Sequence, residues 1–311
     1  MPTALLTWEL GSGLGHMGLL APLADGLALR GFRVVLALRN LASAARAFAG
    51  TPVEFLPAPT FTGRLAGASE PIATYVQLLH RFGFGNADEL DVLVQAWRNL
   101  FACVRPDVIV ANSSPTALLA ARGLGTPVVA VGTGFCCPAD CNPYPDWRPE
   151  LRLDPRRHAR EEQLVCDNAN AVLRRRGAPP LARIGELFRG STDALLLTYP
   201  ELDPFGPRAG ADYFGVWPDP TGKSPTWPPG RPRALVYLRP LAGVRTLLAT
   251  LAKRGVSAIL RIPEADERLR REFDLPNLRW EDDYLDLEAT LDQCDDGRSP
   301  PDHAASWSDK V

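Results

Sequence analysis

Apolar and polar residues alternate in blocks along the first third of the chain, in an order that predicts strand, helix, strand, helix and strand. The three strands correspond to the apolar runs 3–10 (TALLTWEL), 32–39 (FRVVLALR) and 53–59 (VEFLPAP). Between the first two runs, apolar residues recur at i, i+3, i+4 and i+7 from Leu20 to Ala28, which predicts a helix that Gly31 ends. A second helix is predicted over 40–50, with Asn40 as its cap. Strands that are apolar throughout are typical of a parallel sheet covered on both faces, so the pattern predicts an α/β fold.

The same alternation continues to residue 217. It predicts helices over 87–104, 115–125 and 156–176 and strands over 107–112, 126–135 and 193–205. The next segment, 218–232 (PDPTGKSPTWPPGRP), is dense in proline, which favours an extended connection between domains. We therefore predict a first domain over 1–217 and a linker over 218–232.

Beyond the linker the pattern restarts and predicts a second parallel sheet. Its strands are expected at 233–240, 256–263 and 277–280, with helices between and after them. Residues 295–311 have no apolar periodicity, so we expect an atypical, disordered tail there. The second domain is thus predicted to cover only 233–294 and to be incomplete, because about three strands are few for an independent sheet domain.

Composition narrows the class of protein. A chain of 311 residues with 46% hydrophobic residues is long enough for two domains. A net charge of −2 gives no electrostatic basis for binding nucleic acid or an anionic membrane. No run approaches the roughly 20 apolar residues of a membrane span, and no basic segment precedes the first strand, so a cytoplasmic protein is expected. Arginine greatly exceeds lysine, as in GC-rich genomes, and we expect a bacterial source.

The six cysteines include three in the segment CCPADC (136–141). Zinc sites usually combine such a pair with a second pair or with histidines, and the spacing of the four histidines fits no such pattern. We expect reduced, packed or loop thiols and no metal site.

Gly11, Gly13 and Gly15 follow the first predicted strand, which raises the alternative of a dinucleotide site. The Rossmann fingerprint reads G-x-G-x-x-G, with an acidic residue about 20 positions later. Here His16 stands in the place of the third glycine, and the second strand ends without a carboxylate. Arg39 at that strand end could meet an NADP phosphate, so an NAD(P)-binding enzyme remains an alternative.

His16 itself lies at the predicted junction of strand and helix, on the sheet edge where open α/β folds bind ligands. It is either a polar residue of the first helical turn or a general base that glycines allow a substrate to approach. Because the helix dipole disfavours positive charge at a helix N-terminus, we expect a neutral ring that can accept a proton.

Segment 11–38, GSGLGHMGLLAPLADGLALRGFRVVLAL, resembles the N-terminal segment of nucleotide-sugar glycosyltransferases of the UDP-glucosyl and UDP-glucuronosyl type (families 1 and 28), which have the GT-B fold. The stretches RPDVIVAN, GTPVVAVGTGF, YPELDP and YFGVW agree with it. The resemblance covers residues 1 to about 294. It implies two Rossmann-like domains, the first for the acceptor and the second for the nucleotide sugar, with the chemistry between them.

By this resemblance, His16 would deprotonate a hydroxyl of a small acceptor for inverting attack on the anomeric carbon of a UDP-sugar. Asn112 stands where the family usually has an aspartate, and an amide can orient the imidazole without stabilising its charged form. The binding residues implied are Gly13, Gly15, Gly134 and Phe135 for the acceptor and Arg239 for the donor. No metal and no cofactor are implied, since helix N-termini can neutralise the diphosphate of the co-substrate. A homodimer is left open.

The resemblance stops after DLEATLDQC. There the family continues with a strand and a glycine-rich H-x-G-x-G-T loop that holds the donor diphosphate, whereas this chain reads DDGRSPPDHAASWSDKV. We therefore expect a donor-binding domain truncated by a shifted reading frame or a shortened gene. The alternative function is a non-catalytic remnant of a glycosyltransferase that binds a small molecule or a partner.

Overall fold

The structure is a computed structural model and describes residues 1–11, 15–42, 44–63, 71–189, 194–217, 222–283 and 285–295. The chain divides into two compact units, Met1–Trp217 and Pro218–Val311. Both units contain parallel sheets, so the predicted α/β class is confirmed.

The described part of the first unit contains a six-stranded parallel sheet. Its strands are β1 (Thr3–Trp8), β2 (Arg33–Leu38), β3 (Val53–Pro57), β4 (Val108–Asn112), β5 (Val128–Gly132) and β6 (Leu195–Leu196). They lie in the order β3-β2-β1-β4-β5-β6, with every neighbouring pair parallel. The strands β2 and β3 lie on one side of β1, and the strands β4, β5 and β6 lie on the other side. This reversal of the strand order creates a crevice at the carboxyl ends of β1 and β4.

Helices cover both faces of this sheet. They are α1 (Gly15–Leu29), α2 (Ala44–Ala47), α3 (Tyr75–Leu79), α4 (Ala87–Val104), α5 (Pro115–Ala121) and α6 (Pro155–Arg175), with a π-helical turn at His80–Phe84 after α3. Alternate residues of β1 enter two different cores: Leu6 and Trp8 pack with α1, and Leu5 packs with α4. The helix α1 ends as predicted, because Gly31 adopts a φ of 80° that returns the chain toward β2.

Two predicted elements are much shorter than expected. The helix predicted over 40–50 contains only α2, because the side chain of Asn40 accepts a hydrogen bond from the Ala42 amide at 2.9 Å and closes a local turn instead of capping the helix. The strand predicted over 193–205 contains only β6, and a 3₁₀ turn at Pro200–Leu202 follows it.

The described part of the second unit contains a parallel sheet of three strands, β7 (Arg233–Tyr237), β8 (Ser257–Arg261) and β9 (Leu278–Trp280), in that order. Its helices are α7 (Val244–Lys253), α8 (Glu267–Glu272) and α9 (Leu287–Leu291). Leu248, Leu260 and Leu269 lie in its apolar core. The predicted strands are thus present, and this sheet is half the size of the first.

The described part of the proline-rich segment, 222–232, packs against the rest of the second unit. Ser257 donates a hydrogen bond to the Pro228 carbonyl at 2.7 Å, and Trp227 donates to Gln293 at 3.1 Å. Of the predicted tail, Asp295 is held by Arg231 at 2.7 Å, and 296–311 lie outside the described residues. None of the helices in the described parts of the chain is long and apolar enough to cross a membrane.

Candidate active site

The candidate site lies where the carboxyl ends of β1 and β4 meet. Trp8 and Asn112 are register partners at the ends of these strands, and the Leu10 amide donates to the Ser113 carbonyl at 2.9 Å just beyond them. Ser113 has a φ of 48°, a conformation that is uncommon for residues other than glycine and tends to occur at functional sites.

The ring of His16 projects from the first turn of α1 over the end of β1. It stacks on the indole of Trp8, with centroids 4.9 Å apart and planes 20° apart. On another side, a Cβ built on Gly11 would lie 2.5 Å from Nε2 of His16. Gly11 also has a φ of 93°, so both the backbone conformation and the space for the imidazole require glycine there.

Asn112 determines which nitrogen of His16 carries the proton. Its Nδ2 donates to the Val131 carbonyl at 2.8 Å, which turns Oδ1 toward Nδ1 of His16 at 2.7 Å. An amide oxygen only accepts hydrogen bonds, so Nδ1 must donate. In the neutral ring, Nε2 is therefore the nitrogen with a free electron pair, as a general base requires.

The turn after β5 brings Cys136 near Asn112. The amides of Cys136 and Cys137 both donate to the Thr133 carbonyl, at 2.9 and 3.0 Å, and close this turn. Gly132 has a φ of 141°, and a Cβ there would lie 2.7 Å from Asn112 Nδ2 and 2.7 Å from the Cys136 Cβ. Glycine at position 132 thus leaves room for both side chains.

The pKa of His16 is raised, whereas the helix-dipole argument predicts that it is lowered. Burial acts to lower it, but the Cys136 thiol and the hydrogen bond to Asn112 outweigh burial. The pKa of Cys136 is lowered: burial acts to raise it, and contacts with its polar neighbours, His16 first, outweigh that effect.

Glu9 directly follows β1, and its fully buried side chain contacts the start of α5 beside the site. Its carboxylate accepts hydrogen bonds from the backbone amide of Thr116 at 2.9 Å and from the Thr116 hydroxyl. Burial raises the pKa of Glu9 to about 7, although these hydrogen bonds and Arg39 act to lower it. Glu9 therefore titrates near neutral pH.

The four residues predicted to bind the acceptor differ in environment. Gly15 is exposed at the start of α1 with open space around it, and Gly13 lies outside the described residues. Gly134 is buried, and a Cβ there would collide with Asp203. Phe135 remains 41% exposed and is the only one of the three described residues with a side chain for an acceptor to contact.

Phe135 belongs to an aromatic cluster. Its ring centroid lies 4.8 Å from that of Trp147 and 5.8 Å from that of Tyr75, and Tyr75 contacts Tyr144 at 5.8 Å. Within the described residues, the hydroxyls of Tyr75 and Tyr144 and the Nε1 of Trp147 are buried without a hydrogen-bond partner. Such groups are costly to bury, so a polar partner from a bound molecule or water would stabilise this cluster.

Arg239 lies in the second unit, two residues beyond the carboxyl end of β7, and is exposed. This end of a parallel strand is where α/β sheets bind ligands, so its position agrees with the predicted donor role without testing it.

Sequence reasoning missed Trp8 and Glu9, and it singled out Gly11 and Cys136 only as members of the glycine loop and of the segment CCPADC. All six cysteines are free thiols, as expected. Within the described residues no group of three or more His, Cys, Asp or Glu side chains is placed to hold a metal ion. Only one local signal pointed to Cys136, its position just after the glycine-containing end of β5, and nothing in the spacing linked it to His16.

No protein-family model matches the sequence, and no curated protein matches it either. Solved structures do. The glycosyltransferase of kitacinnamycin is 20% identical, with a TM-score of 0.61, over 95% of this chain and 74% of that chain. The glycosyltransferase VinC, in complex with dTDP, is 16% identical, with a TM-score of 0.59, over 94% and 74%. The spinosyn rhamnosyltransferase SpnG, complexed with thymidine diphosphate, is 18% identical, with a TM-score of 0.56, over 94% and 74%.

At these identities the likeness establishes the fold. The chain has the GT-B fold of these glycosyltransferases, as predicted from its N-terminal segment, and spans about three quarters of the length of each.

Proposed function

We propose that this chain transfers a sugar from a pyrimidine nucleoside-diphosphate sugar to a hydroxyl of a small apolar acceptor, with inversion at the anomeric carbon. Nε2 of His16 takes the proton of the acceptor hydroxyl. The oxygen then attacks the anomeric carbon on the face opposite the leaving nucleoside diphosphate. The donor is a co-substrate, and the proposal includes no metal or cofactor.

The observation that carries this proposal is the fixed tautomer of His16. The hydrogen bond from Nδ1 to Asn112 Oδ1, 2.7 Å long, leaves Nε2 as the basic nitrogen at the switch point of the sheet. Removal of a general base of this kind lowers turnover by about 10²–10⁴-fold.

The acceptor is expected to be apolar with an aromatic or similarly flat part. Phe135, whose ring is exposed, lies in the turn after β5, and β5 is the strand next to β4, which ends at Asn112. The buried hydroxyl groups of Tyr75 and Tyr144 behind it lack partners within the described residues. An acceptor with polar substituents on a flat ring system would match both features.

For the donor, the sequence resemblance points to UDP-sugars, whereas two of the similar structures were solved with thymidine nucleotides, VinC with dTDP and SpnG with thymidine diphosphate. Uracil and thymine are both pyrimidines and differ by a 5-methyl group. We therefore propose a pyrimidine nucleotide, and experiment distinguishes the two bases. Arg239 is the residue that we propose for the diphosphate.

The alternative of an NAD(P)-dependent enzyme is less well supported. The strand order is that of dinucleotide-binding sheets. However, His16 stands in the place of the third glycine of the fingerprint, which such sheets need for close packing of helix and strand, and its imidazole lies against Gly11.

Ligand binding tests the proposal first. We expect dTDP or UDP to raise the melting temperature of the whole chain, since a ligand at 100 times its Kd adds about 2.7 kcal/mol of stability. Arg239→Ala should reduce this shift. A shift with NADPH alone would favour the dinucleotide enzyme, and no shift with any nucleotide would favour the non-catalytic remnant.

Transfer tests it second. With dTDP-glucose or UDP-glucose and a panel of phenols and alcohols, we expect nucleoside diphosphate release that His16→Ala lowers by about 10²-fold or more. His158→Ala is the matched control, since His158 lies on α6, where it pairs with Glu162 at 3.7 Å. Equal transfer by the His16 and His158 variants would remove His16 as the base.

A further inference from the structure

We propose that a cavity at the amino end of β5 binds a small organic anion, a carboxylate carried on an apolar body, through Arg122 and Arg189. Val128, the first residue of β5, is part of the wall of this cavity, whereas His16 lies at the carboxyl ends of the strands. The cavity and the candidate active site are thus at opposite edges of the sheet. Binding there requires neither a nucleotide nor a sugar acceptor, so its tests are independent of the proposed sugar transfer.

The cavity has a volume of about 380 Å³, within the range of ordinary small-molecule sites. One wall comes from the end of α5 and the turn that leads to β5, and the other comes from residues 179–189, which contain a 3₁₀ turn at Ile184–Phe188. The apolar lining side chains are Leu118, Ala121, Pro127, Val128, Pro179 and Leu187. A ligand that fills this space therefore needs an apolar surface.

The positive charge of the cavity comes first from Arg122, the C-terminal cap residue of α5. Its Nη1 lies 3.4 Å from the Glu186 carbonyl oxygen, which is long for an N–H···O hydrogen bond. Its Nε is buried without a hydrogen-bond partner in the parts of the chain that the structure describes. A buried donor of this kind costs free energy unless a bound group accepts from it, so this guanidinium favours an anion in the cavity.

The neighbouring groups leave this charge largely uncompensated. Burial lowers the pKa of Arg122, and the carboxylate of Glu186, which acts to raise that pKa, does not restore it. Glu186 also accepts a hydrogen bond from the Ala182 amide at 2.8 Å. A second guanidinium, that of Arg98, donates to the carbonyls of Ala120 and Arg122 at 3.1 and 3.0 Å, and burial lowers its pKa as well. An anion near these two cations would stabilise both in their charged forms.

Arg189 adds positive charge from the opposite wall. Its Nη2 lies 2.9 Å from a carboxylate oxygen of Asp140. The same carboxylate accepts hydrogen bonds from Nε and Nη2 of Arg183, at 2.7 and 2.8 Å. Asp140 therefore serves two cations and can neutralise the charge of only one. The side chain of Arg189 is 67% exposed and lines the cavity, so it can reach a ligand there.

Together, the charge and the apolar walls select a carboxylate on an apolar body. A planar guanidinium can donate parallel hydrogen bonds to both oxygens of a carboxylate. The apolar walls disfavour a fully hydrated anion such as phosphate, which would lose its water without gaining apolar contacts. A neutral amide of the same shape would give the Arg122 donor a weaker acceptor.

Calorimetric titration of the whole chain with 2-naphthoate tests the proposal, with 2-naphthamide as its neutral analogue and inorganic phosphate as an anion without an apolar body. We expect 2-naphthoate to bind at least about tenfold more tightly than the amide, because charge-assisted hydrogen bonds are roughly twice as strong as neutral ones. Phosphate at an equal concentration should not displace it. The same titration of His16→Ala should give an unchanged Kd, which separates this cavity from the candidate active site.

Matched variants assign the binding to the cavity. Arg122→Gln should weaken 2-naphthoate binding about tenfold or more, and Arg189→Gln, at an exposed side chain, should weaken it about two- to fivefold. Arg254→Gln is the control, because Arg254 is also the C-terminal cap residue of a helix, α7, but is exposed in the second unit. It should leave the Kd unchanged.

The Arg189 variant keeps the test decisive if Arg122→Gln does not fold. No binding of 2-naphthoate, equal affinity for the amide, or an unchanged Kd in the folded arginine variants of the cavity would overturn the proposal. Displacement by an equal concentration of phosphate would overturn the assignment of an apolar body.

Discussion

One side-chain amide, that of Asn112, orients the residues of the candidate site. Asn112 is fully buried, and it donates to Val131 while it accepts from His16. A carboxylate at this position could stabilise a charged imidazole, but it could not donate to the Val131 carbonyl. Asn112 therefore fills a role, as donor and acceptor at once, that an aspartate could not fill.

Asn112→Asp tests this explanation. We expect a higher pKa for His16, because a carboxylate favours the imidazolium, and a loss of about 1–3 kcal/mol in unfolding free energy at pH 8, because two acceptors then face each other. Histidine NMR titration and urea unfolding measure the two effects.

Asn170→Asp is the matched control, since Asn170 also uses both ends of its amide, on the backbone of Leu181 at 2.9 and 2.7 Å. It should lose similar stability and leave the titration of His16 unchanged. An unchanged His16 titration in Asn112→Asp would contradict the proposed coupling.

Glu9 should make stability depend on pH. Its folded pKa of about 7 lies above the ordinary 4.5, so the stability contributed by the protonated carboxyl is fully present below pH 4.5 and is lost as pH rises through 7. The shift corresponds to about 3 kcal/mol between these limits.

We expect Glu9→Gln to remove most of this pH dependence in urea unfolding measured at pH 5 and pH 8. Glu201→Gln, at an exposed position of the same unit, should retain it. Parallel pH profiles of the Glu9 variant and the parent protein would show that Glu9 is already ionised at pH 5.

At the scale of elements, long periodic patterns were predicted most accurately. Helix α4 spans 87–104 as its apolar spacing predicts, and α6 differs from its prediction by one residue at each end. Helix α2 and strand β6 are much shorter than predicted, because local turns at Asn40 and Pro200 replaced regular structure. The His16–Asn112 contact was expected from the resemblance to the glycosyltransferases, whereas the tight turn after β5 is one that no periodicity reveals.

That turn depends on Gly132. Gly132→Ala would place a methyl group against Asn112 and Cys136 in a backbone conformation that disfavours side chains. We expect a loss of about 2–3 kcal/mol in unfolding free energy, measured by urea unfolding.

Gly125→Ala provides the comparison, because Gly125 has a φ of 76° and a methyl group added there would meet nothing within 4 Å. It should lose only about 1 kcal/mol, the cost of the left-handed conformation. Equal losses in the two variants would mean that the contacts of Gly132 contribute nothing.

At the scale of the whole molecule, the sequence predicted two parallel-sheet units and the GT-B fold, and both agree with the structure and its neighbours. His16, Asn112 and Cys136 all belong to the first unit, as do its apolar cores.

A chain of residues 1–217 should therefore fold alone. Circular dichroism and thermal unfolding would check this. A fragment without a cooperative transition would show that the first unit requires the second for stability.

The stacking of Trp8 on His16 has an optical consequence. A protonated imidazole quenches the emission of an indole that it contacts, so the fluorescence of Trp8 should fall as the ring gains its proton. The difference in emission between the parent protein and His16→Gln would isolate Trp8 from the other tryptophans. The protein thus carries its own reporter for the charge of its central side chain, readable without substrate or label.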